Sequence, residues 1–548
     1  MKHCRLPPSE ILWATAWALL VLSLTSLPYL LGYYLSSPEM HFGGFVIAVE
    51  DGNSYIAKMG QGARGEWLFH LPYTSEDHKG ALLFIFYLLL GKLVGISGLS
   101  LITTFQLARL VSAFSLLVTI YVFISFFTPW RALRRISFLL CCFSSGLGWL
   151  LITCGLSSLF GDMPIDFWVP DAFAFLVVFT FPHLCLSQTL LLWIFLLALL
   201  AFESDEWRFS LLASTMGLAV SLIHPYTLPV VGMVLGSYIL ATSKRGGRSV
   251  WMQVKHLAIM TLPSAPYLVY TLYIFTAWPA FKAWREQSYT LSPHPLHYIL
   301  GYALVGFLAV PAIVHLWDRK NERGLFLLCW IVVTMLVVYF PLKIQRRLIE
   351  GFQMPVCILA SLGLARYVLP AATRSGLTRS LTRFQRYTRP KLRRFVTTVI
   401  ILLTIPSNFL LIATGLIQVS HLSPPIFHER MELEAMDWLA AHTRPSDTVF
   451  SSYKVGNYIP ARAGNRVFLG HGPETIYVEE KENIVRQFFQ AQTSDACREE
   501  ILSEYNIAYL FYGPAERALG DFQPATRPYL EETFTNGRYT IYAVNLDR

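Results

Sequence analysis

Long, almost uncharged apolar runs recur from residue 11 to residue 418, and they dictate what this chain can fold into. They fall at 11–35, 81–98, 101–127, 136–157, 173–202, 209–223, 226–242, 256–276, 296–317, 324–341, 351–370 and 396–418. About 20 apolar residues in a helix cross the hydrocarbon core of a bilayer. Inside lipid only helices and closed barrels satisfy the backbone. The runs are uniformly apolar and do not alternate, which argues for helices over barrel strands. The expected fold class is therefore a polytopic α-helical membrane protein of about 11–13 transmembrane helices. Composition agrees: only 14% of the 548 residues are charged, against about 25% in soluble domains.

Loop charge gives an expected orientation. Lys2 and Arg5 precede the first run, which is too long for a signal peptide, so the N-terminus is expected in the cytoplasm. That places 36–80 outside. Lys244–Lys255, Asp318–Arg323 and Thr373–Arg394 are basic and fit the cytoplasmic side, the last within a basic loop at 371–395. The C-terminal tail then lies outside. Twelve spans conflict with this parity. Arg131, Arg134 and Arg135 also argue for an inside loop, so the irregularity lies in 81–208, and Phe181-Pro182-His183 is the expected break.

The chain divides into an expected transmembrane part, 1–424, and an outer α/β domain, 425–548. The tail holds 18 acidic and 12 basic residues, whereas the whole chain is +9, so the membrane part is strongly basic. Basic loops at a membrane report topology and anionic lipid, and no aromatic-interleaved groove points to nucleic acid. Met431–His442 has helical spacing, while Val449–Ser452, Val467–Leu469, Ala508–Phe511 and Tyr539–Val544 read as strands. No phosphate-cradling glycine loop occurs, so no nucleotide cofactor is expected. Six of eight cysteines lie in or beside apolar runs and read as packing residues.

Titratable groups concentrate between Glu50 and Gly80. Glu50 and Asp51 could take a proton from an attacking hydroxyl or bind a divalent metal. They could equally be solvated acids at an Asp51-Gly52 turn. Tyr55, His70, Tyr73, Glu76, Asp77 and His78 add ligand and sugar-stacking candidates, although His70 and His78 lack tight metal spacing. Lys343, Arg346 and Arg347 sit on the expected outer side, against the positive-inside trend. A phosphate is the natural partner of two adjacent guanidiniums, and interfacial snorkelling is the competing reading. His183 after Pro182, and His224 before Pro225, mark broken helices that line a cavity or simply turn the chain. Asp162, Asp166 and Asp171 read as solvated loop acids.

Together these parts resemble the C-type integral-membrane glycosyltransferases (the GT-C fold), which include the protein O-mannosyltransferases and the lipid A aminoarabinose transferases. The resemblance rests on a first helix, an outer loop with Glu50-Asp51 and then Tyr55, many helices, the Arg346-Arg347 pair and an outer α/β domain. The tail phrase SSYKVGNYIPARAGNRVFLGHGPET also resembles outer domains of bacterial members. The resemblance implies that Asp51 is the catalytic carboxylate, with Glu50 its rival. It also implies that Arg346 and Arg347 hold the phosphate of a polyprenyl-phosphate sugar, beside the substrate-binding candidate Lys343. A second acidic motif of the metal-dependent oligosaccharyltransferases cannot be placed, so metal dependence stays open.

The expected function is sugar transfer, with inversion, from that donor to an acceptor protein, lipid or glycan at the outer face of the cell membrane. A surface-glycan ligase or polymerase using a lipid-diphosphate donor is one alternative. A lipid or glycan transporter is another, but the runs carry few charges and no internal repeat.

Overall fold

The computed structural model describes residues 6–245, 248–317, 321–374 and 388–546. The basic stretches Lys244–Lys255, Asp318–Arg323 and Thr373–Arg394 lie partly outside the described residues, as do Lys2, Cys4 and Arg5 entirely. Six helices are long and apolar enough to cross a membrane, or eight if each bent pair is one span; three shorter apolar helices accompany them. The chain is a multi-pass membrane protein.

Two compact units form. The first comprises Met1–Leu27, Ala108–Leu268 and Thr290–Thr414. It is a helical bundle in which Pro182–Ser204 packs along Trp207–Ile223, and Ala303–Trp317 along Gln353–Gly363. Trp330, 1% exposed, meets Phe123, Phe195 and Phe326 at its centre. The buried Glu10 carboxylate accepts from Arg134 at 2.8 Å and from the Tyr121 hydroxyl at 2.9 Å.

The apolar runs break where proline or polar backbone demands it. Ala174–Phe179 stops at Thr180, and Pro182 opens Pro182–Ser204 at a position where its missing N–H costs nothing. The run at 296–317 is two helices, Pro295–Gly301 and Ala303–Leu316, bent by 85°. That at 136–157 is Arg131–Phe143 followed by Gly148–Thr153. Between these two helices Asp166 Oδ2 accepts from the amides of Gly146 and Gly148, at 3.1 and 3.2 Å. Asp166 and Asp171 are buried, 1% and 6% exposed. Reading them as solvated loop acids is therefore wrong, because Asp166 supplies the acceptor that a buried helix start needs.

The second unit comprises Pro28–Leu107, Val269–Tyr289 and Gly415–Arg548. Its sheet has five strands: β3 (Thr448–Phe450), β4 (Arg466–Val467), β5 (Ile507–Tyr512), β6 (Leu530–Thr535) and β7 (Thr540–Val544), in the order β4-β3-β5-β7-β6. β3 pairs in parallel with β4 and β5, while β7 is antiparallel to β5 and β6. Successive residues face opposite sides. Phe450, Leu510 and Tyr542 therefore join one core, with Phe488 and Leu502. Val449, Phe511 and Ile541 join the other, with Met436, Leu439 and Ile459. A separate two-stranded ribbon pairs β1 (Met40–Phe42) with β2 (Phe427–Glu429).

Within this unit 49–63 is a helix, Val49–Ala63, and the Asp51-Gly52 turn does not form. Nearly all of the helix is buried after its first turn. It crosses Ile85–Ser97 with backbones in contact: a Cβ on Gly62 would lie 2.1 Å from Leu88 O, and one on Gly91 1.9 Å from Met59 O. Gly91→Ala must push the helices apart, and is expected to cost about 1–3 kcal/mol. A melting temperature equal to that of the wild type would contradict this packing.

Candidate functional site

In the second unit Glu50 and Asp51 occupy the first turn of Val49–Ala63, where the helix dipole favours carboxylates. Ala48, just before it, is left-handed at φ 49°, a conformation that costs a non-glycine residue about 1 kcal/mol or more. Both carboxylates are exposed, and the side chain of Asp51 is 52% accessible. Glu50 Oε2 accepts from the Tyr453 hydroxyl at 3.0 Å. Asp51 Oδ1 lies 3.5 Å from Nε2 of His471, whose side chain is 4% exposed.

One and two turns further on, the helix carries Ser54 and Lys58 toward Glu474. Glu474 Oε1 accepts from Ser54 Oγ and from Lys58 Nζ, both at 2.6 Å, and Lys58 also meets Ser54 Oγ. The ammonium is enclosed by Phe84, Tyr55 and Phe69, at 4.4, 5.2 and 5.4 Å from the ring centres. Burial pulls Lys58 below its ordinary value, against the pull of Glu474 in the other direction. Burial alone would raise Glu474, but Lys58 and His471 outweigh it and leave the carboxyl below its usual range. Ammonium and carboxylate thus sit as a buried pair 2.6 Å apart. Alongside, Asn53 Nδ2 donates to Asn457 Oδ1 at 2.8 Å, and the Tyr73 hydroxyl to Asn457 O at 3.0 Å.

The first unit holds a second polar cluster. Arg346 stacks over Trp168 at 4.2 Å. Arg347, from the short turn Gln345–Ile349, lines a cavity of about 10 Å³ with Tyr226, Thr227 and Glu350. That is room for about one water. Glu350 is 5% exposed; its Oε2 accepts from Thr227 Oγ1 at 2.6 Å and lies 3.6 Å from His224 Nδ1. His224 meets His183 ring to ring at 5.1 Å. Burial raises the Asp171 carboxyl, and the Arg347 charge partly opposes this. Lys343 fixes the segment through its carbonyl, which accepts from the Thr290 amide at 2.7 Å.

The sequence candidates therefore separate. Asp51 and Glu50 stand in one unit; Arg346, Arg347, Lys343, His183 and His224 stand in the other. Tyr55 stacks on Tyr87 at 4.4 Å inside the second unit. His78 gives both ring nitrogens to backbone: Nε2 accepts from the Leu71 amide and Nδ1 donates to Glu76 O. Its ring braces the 71–78 segment. Among the described residues, no three His, Cys, Asp or Glu side chains converge as a metal-ligand set.

No family model and no curated protein sequence matches the chain. Solved structures do. An oligosaccharyltransferase from Archaeoglobus fulgidus superposes with a TM-score of 0.55 at 12% identity, over 98% of this chain and 75% of that one. ArnT from Cupriavidus metallidurans superposes with a TM-score of 0.52 at 12% identity, over 97% and 98%. The mycobacterial arabinofuranosyltransferase AftD gives 0.53 at 14% identity, over 97% of this chain but 40% of that one.

The fold is that of the C-type membrane glycosyltransferases.

Within this GT-C fold, sequence reasoning missed Lys58, Tyr453, His471 and Glu474. The last three lie inside the tail phrase that carried the resemblance, and the Gly-His-Gly-Pro-Glu turn was the available signal. Lys58, between Ala57 and Met59, is a lone cation in a stretch that the fold buries.

Proposed function

We propose that this protein transfers a sugar from a polyprenyl-phosphate donor to an acceptor hydroxyl at the outer membrane face, with inversion. The observation that carries the reading is Asp51: an exposed carboxylate on a helix start, backed by a buried polar network, in a GT-C fold. The solved ArnT structures include one bound to undecaprenyl phosphate, which supports a donor of this class. Asp51 accepts the proton as the acceptor O–H breaks and its oxygen bonds to the anomeric carbon. The bond from that carbon to the phosphate oxygen breaks, and its electron pair leaves with the phosphate. Glu50 is the rival base. Arg346 and Arg347, with Lys343, carry the phosphate charge, which grows as the bond breaks; cations there favour the transition state over the ground state. The C-terminal residues 425–548 belong to the outer, acceptor side in this reading.

The test supplies purified protein with radiolabelled polyprenyl-monophosphate sugars, lipid-diphosphate glycans and nucleotide sugars in parallel. Release from the monophosphate donors is expected. Release only from lipid diphosphate would move the chain to the ligase or polymerase class, and release only from nucleotide sugars would sink the reading. Arg347→Ala is expected to raise the donor KM about 10-fold or more, the worth of a charge-assisted hydrogen bond. The acceptor KM should change much less. An unchanged donor KM would remove Arg347 from the phosphate site.

A further inference from the structure

We infer that His471 is a positioning residue for Asp51, an imidazole held in one tautomer so that its Nε2–H fixes the carboxylate that takes the acceptor proton. This rests on the reading of Asp51 as base.

The tautomer follows from the partners of the ring. His471 Nδ1 accepts from the Glu474 amide at 3.3 Å, so Nδ1 carries no proton in the neutral ring and Nε2 does. Nε2 is the atom 3.5 Å from Asp51 Oδ1. A hydrogen bond across an apo site is often long and tightens when substrate binds.

The ring has little freedom to do anything else. Tyr73 packs on it at 5.3 Å between centres and is itself tied to Asn457 O. Thr475 Oγ1 accepts from the amides of Gly470 and His471, at 3.2 and 3.1 Å, and closes the 470–475 turn. Gln287 holds the same turn from outside, through Pro473 O at 3.0 Å and the Tyr477 amide at 2.9 Å. Glu474 is pinned by Ser54 and Lys58, one and two turns after Asp51 on the same helix. Imidazole and carboxylate are thus referenced to one rigid frame. Asp51 itself is half exposed in the first turn of its helix. Catalysis by proton transfer needs the acceptor atom placed to within about 0.5 Å, and a buried donor supplies that placement.

His471 keeps its proton throughout the cycle and does not touch the sugar. Its removal should therefore lower kcat and leave the donor KM in place. His471→Ala is expected to lower kcat about 10- to 100-fold. His471→Gln, whose Nε2 amide reaches the same point, should recover most of that loss. The acid limb of the kcat–pH profile should move upward in His471→Ala, because the ionised carboxylate loses a donor, and return in His471→Gln. The other charged and titratable groups around it, Glu50, Lys58, Glu474, Tyr73 and Tyr453, are the same in all three proteins. In an Asp51→Asn background His471→Ala should cost no further activity. Equal loss in the Ala and Gln variants with an unmoved acid limb, or additive loss in the double variant, would overturn the inference.

A second readout needs no turnover. In ¹⁵N-histidine-labelled full-length protein in nanodiscs, the His471 Nε2 resonance, identified by its absence in His471→Gln, should shift in Asp51→Asn. An unmoved resonance would overturn the dyad. A shifted resonance in a protein that releases no sugar from any donor would keep the dyad and defeat the transfer reading instead.

Discussion

Asp51→Asn is expected to reduce sugar transfer by about 10²- to 10⁴-fold, the range a general base contributes, and to leave the fold intact. The side chain is half exposed and sits in a first helical turn. Asparagine has the same shape and tolerates that position. What disappears is a carboxylate able to accept a proton, together with a dipole interaction of about 0.3–1 kcal/mol. Glu50→Gln is the internal control. Glu50 bonds Tyr453, whereas Asp51 faces His471, so the loss of Glu50 should be much the smaller. Initial rates of sugar release, with melting temperatures for both variants, decide the matter. If Glu50→Gln is dead and Asp51→Asn active, the base is Glu50. Full activity in both would remove the pair from the chemistry.

The largest stability effect should come from Lys58→Met. Lys58 is fully buried and its partner Glu474 is 7% exposed. Removing the cation leaves a buried carboxylate that keeps the Ser54 hydroxyl but has lost its counter-charge and one donor, a change that typically costs about 3–5 kcal/mol. Replacing both, Lys58→Met with Glu474→Leu, removes the stranded charge and should recover most of that loss.

The pH dependence has a definite sign. Glu474 titrates below its ordinary value in the folded chain. Between that lowered value and the unfolded one, about 4.3, the unfolded chain binds a proton that the folded chain does not. The stabilisation is therefore present above the ordinary carboxylate value and lost as pH falls through the lowered one. Lys58 also titrates low. Its burial costs stability at neutral pH, and stability rises with pH from its lowered value up to about 10.4. In Lys58→Met, Glu474 survives burial best when protonated, so the gap to wild type should narrow on acidification. Intrinsic-fluorescence melting from pH 4 to pH 8 reads this. A Lys58→Met melting temperature equal to wild type at pH 7 would show that the pair does not hold this unit together.

Much of the scaffold is legible because lipid permits so little. The apolar runs reappear as helices, and the break at Phe181-Pro182 follows from proline chemistry alone. The 85° bend after Gly301 has no comparable signal in the sequence, since apolar residues continue through it. In the tail, four of the five strands of the larger sheet were readable from β-branched and aromatic residues. β6, Leu-Glu-Glu-Thr-Phe-Thr, escaped because two adjacent exposed acids, Glu531 and Glu532, interrupt the apolar alternation of this edge strand.

By itself, then, the sequence determined a helical membrane protein with an α/β tail, and it singled out Glu50-Asp51 and Arg346-Arg347 as groups worth a role. Periodicity and hydrophobicity are local properties, and local properties report elements. The tertiary structure decided the rest. It brought residues 28–107 into one unit with 415–548, and so set Lys58 on Glu474 and Asp51 beside His471, partners more than 400 residues apart. It also buried Asp171 and Glu350 around Arg347. A charge inside a protein persists only where an opposite charge or a donor meets it, and which distant segment supplies that partner is a property of packing, which no window of sequence contains.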